Sequence, residues 1–135
     1  MRENGEQSGR ADERPAPFSL QARARSFRFA FAGGRVLLTT QHNAWMHAVA
    51  TVLVVIAGLA THLTPLEWAL LALAMGLVWA LEAMNTAVEL LADEVSLEQR
   101  PGIGKAKDVA AFGVLAAAVA AALIGMFVFV PHLFP

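Results

Sequence analysis

Four polar residues, Glu82, Asn85, Glu89 and Asp93, punctuate and end the largely apolar run from Leu66 to Ala92. At roughly 100° per residue the last three lie about −60°, −20° and +20° from Glu82, one wedge of about 80° on a helix. A carboxylate near the centre of a bilayer costs about 2.5–3.5 kcal/mol. Several on one face therefore need a shared destination, either a protein interface or a wet site. The row makes this segment a helix with one face to cover, and that face is where function is expected.

The surrounding sequence belongs in a membrane. Hydrophobic residues make up 57% of the 135 positions, and the mean hydropathy is +0.55, too apolar for an ordinary soluble domain with so few charges. Ala44 to Leu63 carries no formal charge, and about 20 residues at ~1.5 Å each suffice to cross ~30 Å of hydrocarbon. Thr64 and Pro65 then predict a tight turn, with proline in the first turn of the next helix, where its missing N–H costs nothing. The reading is all-α, with three transmembrane spans at about 44–63, 66–93 and 109–130 inside a domain covering 41–135. The second span exceeds a bare crossing and is expected to tilt or to project its acidic end toward the headgroups.

Charge sign is segregated along the chain. All ten Lys and Arg fall before the first span or between the second and third, the latter group being Arg100, Lys105 and Lys107. The positive-inside rule then places the amino terminus and the second loop in the cytoplasm and the carboxyl terminus outside. Trp45 and Trp68 are expected at the two interfaces, and Trp79, in mid-span, between helices. Residues 1–17 read as a disordered polar tail. Residues 18–40, with Phe27, Phe29 and Phe31 among arginines, read as an amphipathic helix on an anionic membrane surface, which Gly33 and Gly34 should break or bend. Without cysteine the chain has neither disulfides nor thiolate metal sites. A net charge of −1 argues against a nucleic-acid partner.

A second polar motif lies between the second and third spans, in Gln99-Arg-Pro-Gly-Ile-Gly-Lys-Ala-Lys-Asp108. Read as a loop opening the third helix, it offers Gly102 and Gly104 for close backbone approach and Lys107 beside a helix amino terminus, an arrangement that holds phosphate. Positive-inside anchoring with Asp108 as an N-cap is the plainer account of the same residues. His42 and His47, at the start of the first span, read as interfacial residues with wet polar tips. The alanine-rich third span reads as a close-packing surface.

Taken together, Glu82-Ala-Met-Asn85-Thr-Ala-Val-Glu89-Leu-Leu-Ala-Asp93 followed by Gly104-Lys-Ala-Lys107-Asp108 resembles the signature of the prokaryotic-type diacylglycerol kinase family, which includes the undecaprenol kinases. The resemblance runs from about Phe27 to Leu123, and Asn43-Ala-Trp-Met-His47 is closer to the undecaprenol kinase pattern. It implies a surface helix and three transmembrane helices in a homotrimer with shared active sites, in a bacterial inner membrane. It further implies transfer of the γ-phosphoryl of Mg-ATP to the hydroxyl of a membrane lipid, undecaprenol or diacylglycerol. Glu82 then matches the general base, Glu89 a magnesium ligand, Asn85 a positioning residue in the nucleotide site, and Gly104, Lys107 and Asp108 nucleotide contacts. The family's second metal-binding glutamate is replaced by Gln41, whose amide oxygen ligates Mg²⁺ without contributing charge. Two other classes use the same row: a catalytically weakened member serving as an oligomeric scaffold, and an intramembrane proton or cation pathway. Neither requires a phosphate-binding segment at the Glu89 end.

Overall fold

The sequence Thr64-Pro65-Leu66-Glu67 sets the sharpest corner in the chain. Thr64 accepts from the Glu67 backbone N–H at 3.4 Å, and Glu67 accepts from the Thr64 N–H and hydroxyl, each at 2.7 Å. This is a reciprocal capping box with proline in the first turn. The chain reaches it through His62, whose φ of 53° turns the backbone back on itself. A computed structural model describes residues 20–96 and 98–134, which form four helices: α1 (Leu20–Thr40), α2 (His42–Ala60), α3 (Pro65–Val95) and α4 (Pro101–Leu133). The 1–17 tail lies outside the described residues.

Three of these helices, α2, α3 and α4, are long and apolar enough to cross a membrane, as the hydropathy predicts. At ~1.5 Å per residue, the 31 residues of α3 reach well beyond ~30 Å of hydrocarbon. Asp93 with Lys107 and Glu67 with His132 run α4 antiparallel to α3, and Gln41 with Glu89, Thr51 with Trp79 and Gly58 with Trp68 do the same for α2. α3 packs most extensively on α4 and through a much narrower seam on α2.

Two local expectations fail. Gly33 and Gly34 do not interrupt α1, which is helical through both. Each glycine costs a helix only about 1 kcal/mol against alanine, too little to break a segment flanked by good helix formers. The segment Gln99–Asp108 is not an open loop either, because α4 begins at Pro101 and the Gly104 N–H already bonds to Arg100 O at 3.0 Å. Proline in the first turn pre-sets the helical φ and outweighs the two glycines. The cap residue is Arg100, not Asp108, and Lys107 lies almost two turns inside the helix rather than beside its amino terminus.

The apolar core sits at the end of the bundle marked by His62 and His132, where Leu63, Leu71 and Val128 are buried with Trp68 packed against them. Trp68 does not simply face the interface. A Cβ on Gly58 would stand 2.7 Å from its Cη2, so the indole occupies the space that a side chain there would need. At the opposite, basic end, the interior is polar: Glu82, Asn85 and Thr86 are buried, and Glu82 is the largest fully buried side chain among the described residues. Most large apolar side chains of α2 and α4 point outward, as expected where lipid or another subunit supplies the covering.

Candidate active site

Helix periodicity brings the row together as expected. Glu82 is 1% exposed and Asn85 5%, whereas the Asp93 side chain is 63% exposed, so the row leads from a dry interior to the open basic end. The two long amides organise its middle. Asn85 Nδ2 donates to Glu89 Oε1 at 3.1 Å from the same helix, and Gln41 Nε2 donates to Glu89 Oε2 at 3.1 Å. Gln41 reaches across because it is the single extended residue joining α1 to α2, with φ −109° and ψ 119°.

Glu82 differs from every other carboxylate near it. Both of its oxygens are buried without a hydrogen-bond partner, and so is Asn85 Oδ1. Orphaned polar atoms in a buried place are costly, and they are retained where a ligand or a reaction uses them. A chargeable neighbour, His47, brings its Nε2 to 3.7 Å from Glu82 Oε2. The imidazole is held edge-on to Trp79, with ring centroids 6.4 Å apart, and Trp79 Nε1 donates to Thr51 Oγ1 at 3.0 Å. Trp79 thus packs between α2 and α3, as its mid-span position predicts. His47 thus gains a partner in Glu82 that its interfacial position in the sequence does not suggest. The signal that could have found it is its place on α2, opposite Glu82 once the turn at 61–64 sets the antiparallel register.

At the basic end, Lys107 Nζ pairs with Asp93 Oδ1 at 3.2 Å and ties α4 to α3. Both line a cleft of about 520 Å³ that also includes Arg100 and Gly104. Gly104 and Lys107 are therefore together as the sequence suggests, in the first turns of a helix rather than a loop. Asp108 is exposed and outside the cleft's lining.

Among the described residues no three His, Cys, Asp or Glu side chains gather as a metal site. The residue types at the middle of the row nevertheless suit a hard cation, a Glu89 carboxylate flanked by the side-chain amides of Asn85 and Gln41, although both amides present nitrogen to Glu89 as they stand. Magnesium that arrives with a nucleotide needs only one or two carboxylates from the protein, since phosphates complete its shell.

Residues 28–129, which include every residue of the row and the cleft, match the family described as prokaryotic diacylglycerol kinase. The chain belongs to that family. It is 36% identical over 94 residues to the undecaprenol kinase of Bacillus subtilis (strain 168), a match that covers 70% of this chain and 76% of the relative. It is also 39% identical over 109 residues to the diacylglycerol kinase of Synechocystis sp., covering 80% of this chain but only 62% of that longer protein. As a member of the prokaryotic diacylglycerol kinase family, the chain is a membrane lipid kinase, with ATP-dependent phosphoryl transfer as the family chemistry.

Proposed function

We propose that this protein transfers the γ-phosphoryl of ATP to the hydroxyl of undecaprenol or diacylglycerol, with Glu82 as general base. The observation that carries the assignment is the Glu82 carboxylate itself, buried with both oxygens unpartnered one turn from an ordered polar cluster. A structural carboxylate in that position would be hydrogen-bonded. The acceptor hydroxyl docks against Glu82, which takes its proton as the oxygen attacks the γ-phosphorus and the electron pair of the breaking bond leaves on ADP. Lys107 and Gly104 contact the nucleotide from the cleft, with Lys107 exchanging Asp93 for phosphate oxygens, and Asp108 belongs to the same assignment although it stands outside the cleft's lining. Asn85 orients the site. Glu89, with Gln41 and Asn85, would hold Mg²⁺, which when bound offsets the charge of the phosphates during transfer.

The same reading places the amino terminus and the α3–α4 connection in the cytoplasm, where ATP is, and the carboxyl terminus outside. Glu82 lies about 10 Å along the helix axis from Glu89, on the side away from that connection, which suits an acceptor arriving from within the bilayer. The surface role of α1 and assembly as a homotrimer with shared sites belong to this proposal. The outward-facing apolar side chains of α2 and α4 support the latter, since they leave much of the bundle for lipid or further subunits to cover.

One observation favours a second reading. The Gln41 amide already satisfies Glu89 by hydrogen bonding, as it would in a weakened family member kept as an oligomeric scaffold. Labelled Mg-ATP offered to the purified protein in lipid micelles with each acceptor separates the two. Transfer that disappears in Glu82→Gln supports the kinase and names its acceptor. Silence in wild type, with transfer restored by Gln41→Glu, identifies a kinase frame disabled at its metal ligands.

A further inference from the structure

A general base sealed in a dry interior has to be emptied after each turnover. Glu82, at 1% exposure and without a hydrogen-bond partner, has no direct contact with water through which to lose a proton. His47 stands beside it, with Nε2 3.7 Å from Glu82 Oε2, and its side chain is 17% exposed, five residues into α2 from the basic end of the bundle. We propose that His47 is the positioning and proton-accepting partner of Glu82, receiving the proton that Glu82 removes from the acceptor hydroxyl and passing it to water. The proposal rests on the assignment of Glu82 as general base.

The balance is complete without a further reagent. As the acceptor oxygen bonds to phosphorus, its proton moves to Glu82, and the electrons of the broken bond depart with ADP. The proton then moves from Glu82 to the Nε2 lone pair of neutral His47, which releases it to solvent, returning both groups to their starting states. A separation of 3.7 Å exceeds a hydrogen bond and must close by less than one ångström, as such contacts do when substrate binds. The ring is already aimed, since Trp79 packs against it and is itself fixed by Thr51.

Few other charges act on this pair. α3 presents Glu89 two turns from Glu82, α2 carries His42 at its first position, and the last basic residue of α1 is Arg35. α4 has no titratable side chain between Asp108 and His132. An ionisation in the reaction's pH profile that depends on His47 is therefore attributable to the pair.

The test uses the full chain in lipid micelles. His47→Gln is expected to lower kcat by about 10²-fold with little change in the KM for ATP. It should also remove an ionisation from the kcat profile. Added imidazole should restore activity to His47→Ala. Independently of any His47 variant, the ring resonances of ¹⁵N-histidine-labelled protein should change for His47 on Glu82→Gln while those of His132 do not. A wild-type pH profile in His47→Gln, or His47 resonances indifferent to Glu82→Gln, overturns the relay. If those failures accompany an inactive Glu82→Gln, the general base stands without its partner. An active Glu82→Gln removes the base assignment and the relay together.

Discussion

The bundle holds two histidine–glutamate approaches of nearly equal length, one toward each end, and they are used in opposite ways. His132 Nε2 lies 3.8 Å from Glu67 Oε1, and His47 Nε2 lies 3.7 Å from Glu82 Oε2. Glu67 Oε2 already accepts the backbone N–H and hydroxyl of Thr64 in starting a helix, and the carboxylate is part-exposed. His132 is likewise engaged, with Nδ1 donating to Val128 O at 2.9 Å. Glu82 accepts nothing and is buried. Distance alone therefore does not separate a structural carboxylate from a reactive one. The distinction is whether its oxygens are bonded or exposed, as in Glu67, or buried with no partner, as in Glu82.

Substitutions at the two glutamates give the largest expected contrast. Glu82→Gln should reduce phosphoryl transfer by about 10²–10⁴-fold while leaving the fold intact. Glu67→Gln, which retains the capping box, should leave transfer within about twofold of wild type. Equal loss in micelle assays of both variants would break the comparison.

At the basic end, Lys107→Ala should raise the KM for ATP by about tenfold. Its stability cost should be only about 0–1 kcal/mol, because the Asp93 pair is exposed. Steady-state kinetics beside thermal unfolding separate the two effects. At the other end the order reverses. Gly58→Ala, whose new Cβ would stand 2.7 Å from the Trp68 ring, should cost about 1–3 kcal/mol with activity per folded molecule preserved. The smallest effect is expected for Thr64→Ala, about 0.5–2 kcal/mol from loss of the cap, measured by the same unfolding experiment.

The acidic row was legible because all four residues lie on one helix, where a fixed rotation per residue turns spacing into position. The three spans were legible from length and hydropathy, and the Thr64-Pro65 turn from proline chemistry. Thr64 and Glu67 also display the capping-box spacing. The start of α4 was misplaced because Pro-Gly-Ile-Gly has the composition of a loop, whereas the geometry follows the proline. The meeting of His47 with Glu82, and of Gln41 with Glu89, depends on the register between helices. That register comes from the turn at 61–64 and from packing such as Trp68 against Gly58, neither of which local periodicity reveals.

The unbroken length of α3 has a consequence for how such a protein diversifies. Glu82, Asn85, Glu89 and Asp93 hang from one continuous ladder of backbone hydrogen bonds, so no substitution alters the interval between two of them without disturbing the rod. α2 meets that rod through a narrow seam and carries His47 on it. A scaffold of this kind has a fixed ruler on one side and a sparsely joined helix on the other, so the spacing within the row is harder to change than the set of residues that faces it.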